Sequence, residues 1–248
     1  MPNARPIRIA MWSGPRTIST ALMRSWGSRA DTAVVDEPFY AHYLHATGRD
    51  HPGRAAILRS QPTDWRAVAD ALTGPVPDGK RIYYQKHMAH HLLPEMTGPW
   101  LDRLRHAFLI REPTALLASL ARVLPDPRPE DTGLPQQGAL LERLCEAGRE
   151  PPVVSAEDVL TDPPALLRAL CEALGVAFDP AMLTWAPGPR PTDGVWAEHW
   201  YGAVEASSGF EPYLPRSVSL PDRLRRVLDA CAPFYARLHA LRLRPPTP

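Results

Sequence analysis

Short apolar runs alternate along this chain with segments in which apolar residues recur every three or four positions. A short run bounded by turn residues favours a buried strand, and the longer spacing favours an amphipathic helix. We therefore predict strands near residues 7–12, 32–35, 81–86, 105–110 and 152–155, and helices near 18–29, 114–123, 137–147, 164–174 and 221–242. This alternation is typical of an α/β fold with a central parallel sheet flanked by helices. At 248 residues the chain is long enough to bury a full core as a single domain, 1–248.

Two segments lack this periodicity. Residues 124–136 contain four prolines and are predicted to form a loop or lid. Residues 186–218 are rich in Pro, Gly and Trp, and we predict an irregular segment over the site, called the cover below. Ligands of parallel sheets bind at the carboxyl ends of the strands. Arg16, Glu37, Lys86 and Arg111 all follow predicted strand ends, so one crevice can contain all four.

The first predicted strand leads into a turn rich in hydroxyl side chains, and this turn has the layout of a phosphate-binding loop. Its residues are Ser13, Gly14, Pro15, Arg16, Thr17, Ile18, Ser19 and Thr20. The unpaired N–H groups at a helix N-terminus attract an anion, and Arg16 adds a fixed cation. Ordinary helix capping by Ser and Thr is the alternative explanation. The chain has no Gly-x-x-x-x-Gly-Lys-[Ser/Thr] sequence, which disfavours magnesium-dependent phosphoryl transfer.

A second strand and helix repeat this layout. The predicted strand that ends at Arg111 is followed at once by a helical pattern in which Ser119 lies two turns further on. Pro113 suits the first turn of that helix.

Three segments together resemble sulfotransferases that use 3′-phosphoadenosine 5′-phosphosulfate. The run Pro15–Thr20 is similar to the family's 5′-phosphosulfate loop, Arg111 and Ser119 to its 3′-phosphate site, and residues 153–175 to its strand, Glu-Asp-Leu turn and helix. The resemblance implies a three-layer P-loop-like fold, and it implies that residues 13–17, 19 and 20 hold the phosphosulfate. Two features differ from the family's pattern: Ile18 stands where Gly is usual, and the Arg-Lys-Gly segment near the C-terminus is absent.

The resemblance also implies the catalytic residues. Some members place a catalytic Glu where this chain has Glu37; capping of the next turn by Asp36 or Glu37 is the alternative. Other members carry Lys-x-His, in which Lys contacts the sulfonate and His is the base. Here Lys86 is followed directly by His87, so His87 and His90 are both candidates for the base or for orienting the acceptor.

The implied reaction is an in-line transfer of a sulfonate, without a metal, to a hydroxyl or amine of a small-molecule acceptor. Arg16 would stabilise charge on the leaving phosphate, Lys86 would neutralise the sulfonate, and Glu37 or a histidine would remove the acceptor's proton. A nucleotide-dependent phosphotransferase and a sulfotransferase-like binding module without chemistry remain alternatives.

Composition narrows the remaining functions. The formal net charge of +1 argues against a nucleic-acid surface, and no apolar run reaches the length of a membrane span. His87 and His91 have the spacing of a helical zinc pair but lack the intervening Glu, so we expect no metal. The three cysteines lack paired spacing, which favours reduced thiols. The first predicted strand starts after six residues and leaves no room for a signal peptide, so we expect a cytoplasmic protein. Nothing in the sequence sets the oligomeric state.

The predicted cover contains an aromatic cluster. Its members are Trp196, His199, Trp200 and Tyr201. Such rings can stack against an adenine, a sugar or an aromatic acceptor. The more common alternative is a small satellite core under a long loop.

Overall fold

The computed structural model describes residues 5–215 and 218–244, and it contains a five-stranded parallel sheet. The strands are β1 (Ile7–Ser13), β2 (Thr32–Asp36), β3 (Ile82–Met88), β4 (Arg105–Ile110) and β5 (Val153–Ser155). Their spatial order is β2-β3-β1-β4-β5. All five predicted strands and the α/β class are confirmed. Central β1 lies between β3 and β4, so the loops that follow these three strands meet at one edge.

Five helices correspond to the predicted helical patterns: α1 (Ser19–Gly27), α5 (Pro113–Leu120), α6 (Leu134–Glu146), α8 (Pro163–Ala173) and α11 (Arg225–Ala240). The structure adds α2 (Tyr40–Thr47), α3 (Arg54–Ser60), α4 (Trp65–Thr73), α7 (Ala156–Thr161), α9 (Ala197–Trp200) and α10 (Gly202–Glu205). These additional helices were not predicted from the sequence, and each has nine residues or fewer.

The predicted loop at 124–136 needs a correction. A 3₁₀ turn forms at Pro129–Thr132, and α6 already begins at Leu134. Gly133 makes this early start possible, because its φ of 75° lies in the left-handed region that glycine adopts without strain.

The apolar residues of the strands divide between the two faces of the sheet. On β1, Ala10 and Trp12 pack in one buried cluster, whereas Ile9 and Met11 pack in a second. This division follows from the alternation of side chains along a strand. It explains why the strands read as continuous apolar runs, since helices cover both faces.

The cover is attached to the sheet by buried polar contacts. Asp193 forms a salt bridge of 2.6 Å with Arg24 of α1, and the backbone N–H of Gly194 donates to Asp36. Trp196 and Tyr201 are buried in a third cluster with residues of α2, so the prediction of a satellite core is confirmed for these two rings. Residues 216 and 217 of the predicted cover lie outside the described residues.

Cysteine placement agrees only in part with the predicted core thiols. All three cysteines are free; Cys171 and Cys231 are buried, but Cys145 is exposed. Within residues 5–215 and 218–244, none of the helices has the length and apolar character needed to cross a membrane.

Candidate functional site

A cavity of about 470 Å³ lies at the carboxyl ends of β1, β3 and β4. It brings together most of the predicted site residues: Pro15, Arg16, Thr17, Ser19, Thr20, Glu37, Lys86, His90, Arg111 and Ser119. These residues come from segments far apart in the sequence, and the sheet topology places them around one space.

The β1–α1 loop, residues 14–18, forms one wall of this cavity. Arg16 has a φ of 59°, and the Thr17 hydroxyl donates to the Gly14 carbonyl over 3.0 Å, which holds the loop in a tight turn. Ile18 occupies the N-cap position of α1, and no side chain caps the helix there. The first N–H groups of α1 therefore keep their capacity to bind an anion.

Arg16, Arg111 and Ser119 meet on the same wall. The Arg16 Nε donates to the Ser119 Oγ over 3.1 Å, and the Arg111 guanidinium donates to the Arg16 carbonyl. Burial, together with the nearby cations Arg111 and Arg122, lowers the pKa of Arg16. An arginine stays protonated nonetheless, so this end of the cavity concentrates positive charge.

An ion-paired group forms a second part of the cavity. The Lys86 Nζ lies 2.8 Å from Asp36 Oδ1, 2.7 Å from Glu37 Oε1 and 2.6 Å from the Tyr201 hydroxyl. That hydroxyl in turn donates to Asp36 Oδ2 over 2.7 Å and accepts from Trp196 Nε1. Glu37 has a φ of 40°, an uncommon value for a residue with a side chain.

The shared burial of these groups shifts their acidities. Burial raises the pKa of Glu37 and outweighs the opposing attraction of Lys86. For Lys86, burial acts to lower the pKa, but the carboxylates of Asp36 and Glu37 outweigh it and raise the pKa well above its ordinary value. Lys86 is therefore a firmly protonated cation beside a carboxyl group with increased proton affinity.

Three predicted site residues do not line the cavity, and each has a structural reason. Ser13 is fully buried, and its hydroxyl donates to the His87 carbonyl inside the sheet. Gly14 allows a close approach of backbone, because a Cβ there would lie 2.3 Å from the Thr132 carbonyl oxygen.

His87 is the third of these residues, and the structure corrects its candidate role as the base. Its ring stacks on Trp12 with 4.3 Å between ring centroids and also on Phe39. Burial lowers its pKa to about 3. Side chains alternate along β3, so His87 points to the face opposite Lys86 and cannot share its environment.

The third part of the cavity is aromatic, and the sequence pointed to His90 and Trp200 among its rings. The other rings are those of Tyr40, Tyr43, His51 and His91. His91 is sandwiched between Tyr40 and Tyr43, with ring centroids 4.5 and 4.7 Å away. The aromatic content of Tyr40-Ala-His-Tyr43, just after Glu37, was the available signal in the sequence.

Burial is the main reason that these histidines are poor bases. It lowers the pKa of His90 to about 3 and places the pKa of His91 well below its ordinary value. Both rings are therefore neutral at neutral pH. Among the described residues, no group of three or more His, Cys, Asp or Glu side chains has a geometry that could hold a metal ion.

Comparisons with known proteins define the class. A family model described as "Sulfotransferase domain" matches residues 7–242, nearly the whole chain, and the protein belongs to this sulfotransferase family.

Two curated relatives come from Arabidopsis thaliana. Branched-chain-amino-acid aminotransferase-like protein 1 is 37% identical over 94% of this chain, and protein 2 of the same name is 35% identical over 92%. The chain spans only 41% and 40% of these two proteins, so the activity in their names is not assigned to it.

Solved structures support the fold. A sulfotransferase from Alicyclobacillus acidocaldarius matches 97% of this chain and 98% of its own, with a TM-score of 0.55 and 18% identity. The sulfotransferase domain from the curacin biosynthetic pathway matches 92% of this chain and 99% of its own, with a TM-score of 0.52 and 16% identity. At these identities the likeness concerns the fold alone.

Proposed function

We propose that this protein transfers a sulfonate from 3′-phosphoadenosine 5′-phosphosulfate to a hydroxyl or amine of a small-molecule acceptor. The observation that carries the proposal is the placement of two chemically different groups in one cavity. The arginine-rich β1–α1 wall suits a phosphorylated donor, and Lys86 with Glu37 suits the transfer and the proton that it releases.

The donor would bind along the β1–α1 loop and the start of α5. The N–H groups of α1 and the Arg16 guanidinium suit the 5′-phosphosulfate. Arg111 and Ser119 adjoin Arg16 and suit the 3′-phosphate, because a guanidinium and a hydroxyl can together donate several charge-assisted bonds to it.

In the proposed transfer, the acceptor oxygen or nitrogen forms a bond to sulfur as the bond from sulfur to the bridging phosphate oxygen breaks. The electron pair of the broken bond goes to 3′-phosphoadenosine 5′-phosphate, where Arg16 would stabilise the added charge. Lys86 would hold the sulfonate oxygens. The acceptor's proton would go to Glu37, whose raised pKa brings it closer to the value that suits a general base.

The acceptor would enter at the aromatic part of the cavity. Tyr40, Tyr43 and Trp200 line it with apolar ring surface, and the neutral His90 is the polar ring beside them. This lining favours a small acceptor with a flat or apolar body.

A thermal-shift experiment separates this function from a phosphotransferase. We expect 3′-phosphoadenosine 5′-phosphate to stabilise the protein and ATP with Mg²⁺ to have little effect; the reverse pattern would favour the phosphotransferase. A subsequent screen for transfer of labelled sulfonate to alcohols, phenols and amines separates an enzyme from a binding module, since the module would bind the product and transfer nothing.

A further inference from the structure

Tyr201 connects the cover to the ion-paired group through a hydroxyl that has no unused hydrogen-bonding capacity. A phenol hydroxyl has one proton and two lone pairs. The proton goes to Asp36 Oδ2, and the lone pairs accept from Lys86 Nζ and Trp196 Nε1. The residue is only 4% exposed, yet it lines the cavity.

The Lys86 ammonium is equally saturated. It has three hydrogens, and three acceptors lie within 2.8 Å of Nζ: Asp36, Glu37 and Tyr201. A sulfonate oxygen that binds to Lys86 must therefore replace one of them. The carboxylates of Asp36 and Glu37 attract the ammonium with a full opposite charge, whereas the tyrosine hydroxyl is neutral, so the hydroxyl is the partner lost most easily.

We propose that Tyr201 is a positioning residue that holds Lys86 between its two carboxylates in the free protein and yields its place to the sulfonate when the donor binds. This inference rests on the proposed function. After the exchange, the Tyr201 hydroxyl keeps its hydrogen bonds to Asp36 and Trp196. The cover therefore stays attached to the sheet while Lys86 exchanges one hydrogen-bond acceptor for another.

The chain offers an unusually simple way to observe this exchange, because Lys80 and Lys86 are its only lysines. Labelling lysine with ¹⁵N on the side chain yields two ammonium signals in an NMR spectrum. Lys80, whose Nζ donates to the exposed Ala30 carbonyl, is the internal control. We expect 3′-phosphoadenosine 5′-phosphosulfate to shift the Lys86 signal and 3′-phosphoadenosine 5′-phosphate, which lacks the sulfonate, to shift it much less.

The variant Tyr201→Phe keeps the ring and removes the hydroxyl. It should shift the Lys86 signal in the free protein. It should also strengthen binding of the phosphosulfate donor several-fold relative to 3′-phosphoadenosine 5′-phosphate, because the sulfonate no longer has to displace a hydrogen-bond partner of Lys86. At the same time kcat should fall about tenfold or more, because Lys86 is no longer fixed. A residue needed only for folding would weaken both ligands. Tyr213→Phe is a matched change at an exposed tyrosine of the same segment. It should alter neither the ratio of the two ligand affinities nor the Lys86 signal.

Equal shifts of Lys86 with both ligands, or an unchanged affinity ratio in Tyr201→Phe, would overturn the inference. If Tyr201→Phe does not fold, the two ligand titrations of the native protein decide alone. If neither nucleotide binds in calorimetry, the proposed function fails instead. Inorganic sulfate then takes the donor's place: a Lys86 shift that needs less sulfate in Tyr201→Phe than in the native protein supports the exchange, and the absence of any Lys86 shift, or equal sulfate dependence in the two proteins, contradicts it.

Discussion

The Arg16 guanidinium donates to the Ser119 hydroxyl over 3.1 Å, although 103 positions separate the two residues in the sequence. The bond joins the β1–α1 loop to helix α5. Both residues line the cavity, so the contact joins the two halves of the proposed donor site. Preorganisation of this kind lowers the cost of binding an anion there.

Arg16→Ala should lower turnover more than it weakens the binding of the donor, 3′-phosphoadenosine 5′-phosphosulfate. The charge on the leaving phosphate grows in the transition state, so the cation that faces it contributes mainly to kcat. Steady-state kinetics and calorimetry measure the two effects. Arg59→Ala, an exposed arginine on α3, is the matched control and should change neither. Equal losses in turnover and binding would contradict a catalytic role for Arg16.

Glu37→Gln should reduce turnover by about 10²–10⁴-fold with donor affinity nearly intact, because the amide keeps the shape but cannot accept the proton. A base acts in its deprotonated form, and burial raises the pKa of Glu37 above the ordinary 4.5. The rate should therefore fall as the pH decreases through that raised pKa, and this acidic limb should be absent in Glu37→Gln.

Two variants control for that assignment. Glu95→Gln changes an exposed glutamate and should leave the pH–rate profile as it is. His90→Ala should retain the acidic limb. If His90→Ala removes activity while Glu37→Gln is normal, His90 is the base and the assignment to Glu37 is wrong.

Gly14→Ala should destabilise the protein by about 1–3 kcal/mol, the usual cost of forcing extra atoms into a packed site. The added Cβ would lie 2.3 Å from the Thr132 carbonyl, a contact that only a backbone shift can relieve. Urea unfolding measures the change. Gly202→Ala is the control, since a Cβ added there would meet no neighbouring group within 4 Å, and it should be neutral or slightly stabilising. Equal stability of Gly14→Ala and the native protein would contradict the close approach.

Stability should fall steeply in mild acid. Burial lowers the pKa of His90 to about 3 and that of His106 to about 4, whereas an unfolded histidine titrates near 6.5. Below about pH 6.5 the unfolded chain binds more protons than the folded protein does. The free energy of unfolding is therefore at its full value above about pH 6.5 and decreases as the pH falls toward the pKa values of the folded protein. At pH 5, His90 and His106 each lower the free energy of unfolding by about 2 kcal/mol relative to neutral pH.

His106 provides the sharpest check of this pH dependence. Its Nδ1 accepts from Trp12 Nε1 over 2.9 Å, and its Nε2 lies 2.8 Å from the Leu101 carbonyl, so a second proton on the ring would oppose the Trp12 N–H. His106→Gln should reduce the difference in unfolding free energy between pH 7.5 and 5. His45→Gln, at an exposed position, should leave that difference unchanged. An unchanged difference in His106→Gln would contradict this explanation of the acid sensitivity.

The parts of the fold that the sequence predicted are those with a strong local pattern. Each strand is a short apolar run, and the order of motifs placed Arg16 and Arg111 after strand ends; Lys86 was also expected there, but it lies inside β3, two residues before its end. The short helices between residues 40 and 73 were missed because turn residues such as Gly48 and Gly53 interrupt them before a period develops.

The site itself was predictable only in part. The register of β3 could have excluded His87, since the residue after an inward-facing Lys86 must point to the other face. The pairing of Lys86 with Tyr201 could not be predicted, because it joins positions 115 residues apart through a cover without periodicity.

The most direct test of the proposed function compares two ligands that differ by one phosphate. If Arg111 and Ser119 hold a 3′-phosphate, the native protein should bind 3′-phosphoadenosine 5′-phosphate much more tightly than adenosine 5′-phosphate, since a hydrogen bond to a charged group contributes about 1.5–3 kcal/mol. Arg111→Ala should remove most of this preference and leave the affinity for adenosine 5′-phosphate nearly unchanged, and Arg111→Lys should keep part of it. Calorimetric titration supplies these affinities. Equal affinity of the native protein for the two nucleotides would contradict the donor assignment and leave only the family and the fold.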